Sequence, residues 1–82
     1  MTKSIKLSTR SMIEWIIFIN KKIGSGTYPN TPKLSKELEV SVATISRDIE
    51  FLRDRLNAPI AYDTFRKGYF YTMPYNLIEN LA

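Results

Sequence analysis

The amino-acid sequence predicts a mainly α fold with a small β-hairpin, in which three helices share one core and two short strands follow them. Three observations carry this. Ile45, Ile49, Leu52 and Leu56 recur at spacings of four, three and four, the stripe of a helix buried on one side. Turn-rich segments at Gly24–Asn30 and at Val40-Ser41 break the helical pattern before that stripe. After Pro59, Ile60-Ala61-Tyr62-Asp63 and Tyr69-Phe70-Tyr71-Thr72 have the β-branched and aromatic content of paired strands. A chain of 82 residues, 44% hydrophobic and 24% charged, suits one folded domain over 1–82 rather than a disordered tail.

The first helix is expected over about residues 9–23, capped by Ser8 or Thr9 and stopped by Gly24, with Lys21 and Lys22 at the negative end of its dipole. Met12, Trp15, Ile16, Ile19 and Ile23 fall on one face, while Ile13, Ile17 and Phe18 lie off it. Trp15 and Phe18 at this spacing read as packing aromatics rather than a ligand platform. Gly24–Asn30 reads as a linker turn, since it lacks the Lys-Ser/Thr ending of a phosphate loop. Thr31 is the expected cap of a second helix over about 32–38, with Pro32 at its first position and Leu34 and Leu38 as its apolar edge. Ser41 is the expected cap of a third helix over about 42–56.

Two helices joined by so tight a turn, the second buried along one stripe, form a helix-turn-helix. The hairpin over about 60–72 is then a wing, and the predicted architecture is a winged helix-turn-helix with a three-helix core and a two-stranded wing. Ala43, Ser46, Arg47 and Glu50 face outward on the third helix, and Ser41 and Thr44 occupy its first turn, the part that usually reaches base edges. Small residues admit the helix to a groove, hydroxyls bond phosphate or base, Thr and Ala methyls meet thymine, and Arg47 grips guanine or phosphate.

The candidate DNA contacts are therefore Ser41, Ala43, Thr44, Ser46 and Arg47 on the helix, with Arg66 and Lys67 in the wing turn Thr64–Gly68. Arg10, Thr31 and Lys33 are candidate phosphate contacts. Arg53 and Arg55 read as a solvated face alongside Glu50 and Asp54. Asp48 reads as the partner of a nearby basic group. Tyr62, Tyr69 and Tyr71 read first as packing residues for the wing and second as stacking platforms for bases.

The formal charge of +4 is clustered before and after the first helix and in the wing turn, a balance suited to phosphate backbones. Cysteine and histidine are both absent, which removes disulfides, the usual zinc ligands, and the common catalytic bases and nucleophiles. Neither an enzyme nor a cofactor is expected. Met12–Ile19, the most apolar run, is interrupted by Glu14 and far short of the roughly 20 residues that cross a bilayer. With no export signal at the N-terminus, the expected location is cytoplasmic.

Val40-Ser41-Val42-Ala43-Thr44-Ile45-Ser46-Arg47-Asp48-Ile49-Glu50-Phe51-Leu52, then Ala58-Pro59-Ile60 and Lys67-Gly68-Tyr69, resembles the N-terminal winged-helix domain of WYL-domain and DeoR-type bacterial transcriptional regulators. The likeness runs from about Arg10 to Tyr71. It rests most on the Val-Ser, Thr-Ile-x-Arg-Asp-Ile and Gly-Tyr elements, which in that family mark the turn, the recognition helix and the second wing strand. The resemblance implies that Ser41, Thr44 and Arg47 contact double-stranded DNA and that a sensor domain, absent from this chain, controls the switch. The chain departs from the family at Lys67, where those proteins often carry a second glycine.

Residues 73–82 hold Leu77, Ile78 and Leu81, which either start a connector to that domain or fold back over the surplus apolar face of the first helix. The same face, Ile13, Ile17 and Phe18, motivates a homodimer. The rival function is a winged helix that docks a protein partner without binding DNA.

Overall fold

The computed structural model describes residues 12–81, in which α1 (Met12–Ile23), α2 (Thr31–Leu38) and α3 (Val42–Arg55) precede β1 (Ile60–Asp63), β2 (Gly68–Tyr71) and a short α4 (Leu77–Leu81). The chain is mainly helical with one antiparallel two-stranded hairpin, a winged helix-turn-helix. Ser8, Thr9 and Arg10, the expected cap and phosphate contact, lie outside the described residues.

The core follows the apolar stripes. Ile16, Ile19 and Ile23 of α1, Leu34 and Leu38 of α2, and Ile45, Ile49 and Leu52 of α3 are buried together. Each such side chain contributes about 1.5–3 kcal/mol by leaving water. Trp15 and Leu56 pack partly buried against this cluster, whereas Ile13, Ile17 and Phe18 remain exposed.

The cap of α2 is Asn30, not Thr31. Asn30 is extended and its Oδ1 accepts the Lys33 N–H at 2.8 Å, while Thr31 is already helical and Pro32 in the first turn withholds a donor the helix does not need. Ser35 fastens the turn that follows. Its carbonyl accepts the N–H groups of Glu39 and Val40, and its hydroxyl donates to the Val40 carbonyl. Glu39 takes the left-handed conformation at φ 59° that swings the chain into α3.

α3 ends one residue before its apolar stripe does. Leu56 is the cap and donates to the Phe51 carbonyl, Asn57 is left-handed, and the Ala58 N–H returns to the Leu52 carbonyl at 2.9 Å, closing a widened last turn. The hairpin pairs Ile60 with Tyr71 and Asp63 with Gly68, so β2 starts at Gly68 and the turn is Thr64–Lys67.

Gly24–Asn30 does more than link. Its Pro29 is fully buried, the Pro29 carbonyl accepts the Tyr69 N–H at 2.8 Å, and the Tyr28 ring lies 5.5 Å from that of Phe70. A Cβ on Gly68 would fall 1.8 Å from the Tyr28 carbonyl oxygen, so only glycine fits there.

Past the wing, the Tyr71 hydroxyl donates to Asn20 Oδ1 and the Tyr75 hydroxyl to the Leu56 carbonyl. Burial pushes both phenols above the usual tyrosine range, Tyr71 furthest, with the neighbouring Tyr75 adding to it. Leu77 is buried in the core and Leu81 partly so, while Ile78 is exposed. The C-terminal segment thus docks without covering Ile13, Ile17 and Phe18.

Candidate nucleic-acid interface

The exposed end of α3 is built by its own cap. Ser41 Oγ accepts the Thr44 N–H at 3.1 Å and shares a 2.9 Å hydrogen bond with the Thr44 hydroxyl. Two hydroxyls hold two protons, and their mutual bond uses one. The other stays available for an acceptor outside the protein, beside the positive end of the helix dipole.

Behind this cap, Ala43 and Arg47 are exposed and Ser46 is half-buried, so the helix offers an outward strip of small, hydroxyl and cationic groups that ends at the exposed, anionic Glu50. Arg47 makes no ion pair within 4.0 Å among the described residues. Asp48, expected to partner a basic group, feels the charge of Arg47 but makes no ion pair within 4.0 Å among the described residues. It is 9% exposed, on the buried flank beside Ile45 and Ile49. Burial raises its carboxyl above the usual range, and the field of Arg47 offsets this only in part. Further along the helix, Arg53 pairs with Asp54 at 3.1 Å and Arg55 lies 5.8 Å from the Phe51 ring centroid, a solvated face as the sequence implied.

In the wing turn the two predicted cations differ. Asp63 Oδ1 accepts the N–H groups of Phe65 and Arg66 at 2.8 and 2.9 Å, and Asp63 Oδ2 holds the Arg66 guanidinium at 3.1 Å. The backbone N–H of Arg66 is the chief reason that the Asp63 carboxyl sits below its usual range. The Arg66 guanidinium also lies 4.8 Å from the Tyr28 ring centroid, within cation–π reach. Arg66 is therefore turned toward the body of the protein. Lys67 is exposed, left-handed at φ 59°, and without an ion pair among the described residues.

Of the phosphate candidates on α2, Thr31 is half-buried in the first turn and Lys33 is exposed. Lys33 lines a groove between α1 and α2 with Ile17, Phe18, Lys21 and Lys22, of which Lys22 is engaged by Glu37 at 3.2 Å. The structure thus brings Ser41, Ala43, Thr44, Ser46 and Arg47 onto one surface and sets Lys33 in a separate groove. Sequence reasoning missed Asp63, Phe65 and Tyr28. An aspartate opening a turn is a signal for the first. The other two depend on contacts, or their absence, across the fold.

Among the described residues no cluster of three or more acidic side chains could hold a metal ion, and no helix is long and apolar enough to cross a membrane. A family model described as an HTH domain matches residues 30–70, from the cap of α2 to the third residue of β2. No curated protein and no solved structure matches the chain.

Proposed function

Because the chain belongs to the HTH domain family, we propose that it binds double-stranded DNA sequence-specifically as part of a transcriptional regulator, with α3 in the major groove and the wing on the backbone or minor groove. One observation carries the reading: the strip from Ser41 to Arg47 is outward-facing, capped and supplied with a guanidinium that makes no ion pair among the described residues. Arg47 reads a base edge or grips phosphate, Thr44 and Ala43 bring methyls, and the spare hydroxyl proton of Ser41 and Thr44 goes to a phosphate oxygen. Lys67 supplies the wing cation. The Thr-Ile-Ser-Arg-Asp-Ile and Gly-Tyr elements support membership among WYL-domain and DeoR-type regulators within this broader family.

The test is fluorescence anisotropy on mixed-sequence duplex across a salt series, native against Arg47→Ala. The native chain binds with an affinity that falls steeply as salt rises, and Arg47→Ala weakens binding by about tenfold or more. No binding at low salt by a folded sample overturns the reading and favours the protein-docking function.

The DNA-bound form is a two-fold dimer in this reading. A two-fold axis between Ile17 and Phe18 would pair each with the other on antiparallel α1 helices and set Glu14 opposite the second copy's Lys21. Sedentation of the protein–DNA complex by analytical ultracentrifugation gives two protomers per duplex, reduced to one by Phe18→Glu; one protomer for the native chain at saturation refutes the dimer.

A further inference from the structure

Phe65 is the most exposed large apolar residue of the described chain, 89% accessible, and it is not among the described residues that pack against the core. A single exposed apolar side chain is ordinary on a protein surface. Its mounting is not. The Phe65 N–H and the next are both held by Asp63 Oδ1, and Arg66, drawn back between Asp63 and Tyr28, braces the turn from one side. The turn is thus a rigid support that presents an aromatic ring beside the exposed cation of Lys67.

That combination has a known use in physical terms. A cation holds the phosphates at a groove edge, and an apolar ring on a stiff support enters between base pairs and unstacks them. A turn whose backbone is held before binding leaves only the rotation of the ring itself to be lost. We propose that Phe65 is a wing-tip wedge that inserts at a flexible step of bound duplex DNA and kinks it. This rests on the DNA-binding reading above and adds to it a residue that acts through stacking rather than charge. Its preferred step is pyrimidine–purine, TA above all, where unstacking costs least.

The experiment uses the full chain and a duplex of about 30 base pairs with a central TA step, a donor and an acceptor at its ends, and 2-aminopurine at the step. Native protein raises both energy transfer and 2-aminopurine emission. Phe65→Ala abolishes both rises and weakens binding by about 5- to 150-fold, with the salt slope unchanged because no charge is lost. Phe65→Trp retains the bend, and its indole emission is quenched on binding. The thermal midpoint of Phe65→Ala matches the native one, since the ring contributes nothing to the core. Native binding accompanied by equal bending in Phe65→Ala, or by an unquenched indole in Phe65→Trp, overturns the wedge and leaves the DNA reading standing. Absence of native binding to any duplex at low salt overturns both.

Discussion

The recognition helix and the wing present their cations in opposite ways. On α3 the side facing the core is settled by Ile45, Ile49 and Leu52, and the outward side is left to solvent, so Arg47 has no ion-pair partner within 4.0 Å among the described residues. In the wing the same kind of residue, Arg66, is engaged by a carboxylate and an aromatic ring of its own chain. Helical periodicity separates a packing face from a contact face. A tight turn offers no such separation, and its side chains are used to shape the turn itself. A basic residue near a groove is therefore not equivalent to a charge the groove can use.

The largest effect that would break this comparison is on the wing's footing. Gly68→Ala drives a methyl group into the Tyr28 carbonyl, and we expect a loss of about 3 kcal/mol, read as a fall in thermal midpoint of about 12 °C or more. A midpoint within a degree or two of the native value would mean that the wing is not seated on the Tyr28–Pro29 segment. A smaller effect separates the two wing cations. Lys67→Ala lowers the slope of log affinity against log salt by about one, whereas Arg66→Ala changes the slope less and costs the fold little, as loss of an exposed ion pair does. Equal slope changes in anisotropy titrations would show that Arg66 leaves Asp63 to reach DNA. Lys67→Gly sharpens the point. Removing Cβ at a left-handed position relieves roughly 1 kcal/mol of strain, so this variant gains slightly in stability while losing the same slope as Lys67→Ala.

The helices were legible because their signals are local. Ser41 followed by a stripe ending at Leu56 specifies both where α3 starts and which side is buried, and the structure departs from that by one residue at the end. The cap of α2 was displaced by one because Asn30 and Thr31 both carry a capping oxygen, and only backbone geometry selects Asn30. Asp48 was legible only in part for a related reason: its charge suggested a basic partner, and Arg47 does act on it, but its place in the turn of the helix puts it on the flank beside the core. The seating of the wing depends on Tyr28 and Pro29 meeting Gly68 and Tyr69, a contact between distant segments that no periodicity encodes. The glycine of the Gly-Tyr element was visible, but the carbonyl that requires it was not.

That meeting also determines how the unit bears load. The chain enters the helix-turn-helix at Pro29 and completes its circuit at Tyr69, where the two positions share a hydrogen bond of 2.8 Å. The segment between them is closed into a loop by that clasp. Tension applied beyond β2 divides between two ties, the Tyr69–Pro29 bond to the entrance of α2 and the Tyr75–Leu56 bond to the far end of α3. A pull from the C-terminal side therefore loads the helix-turn-helix at both of its ends at once, and the recognition helix keeps its orientation for as long as both ties hold.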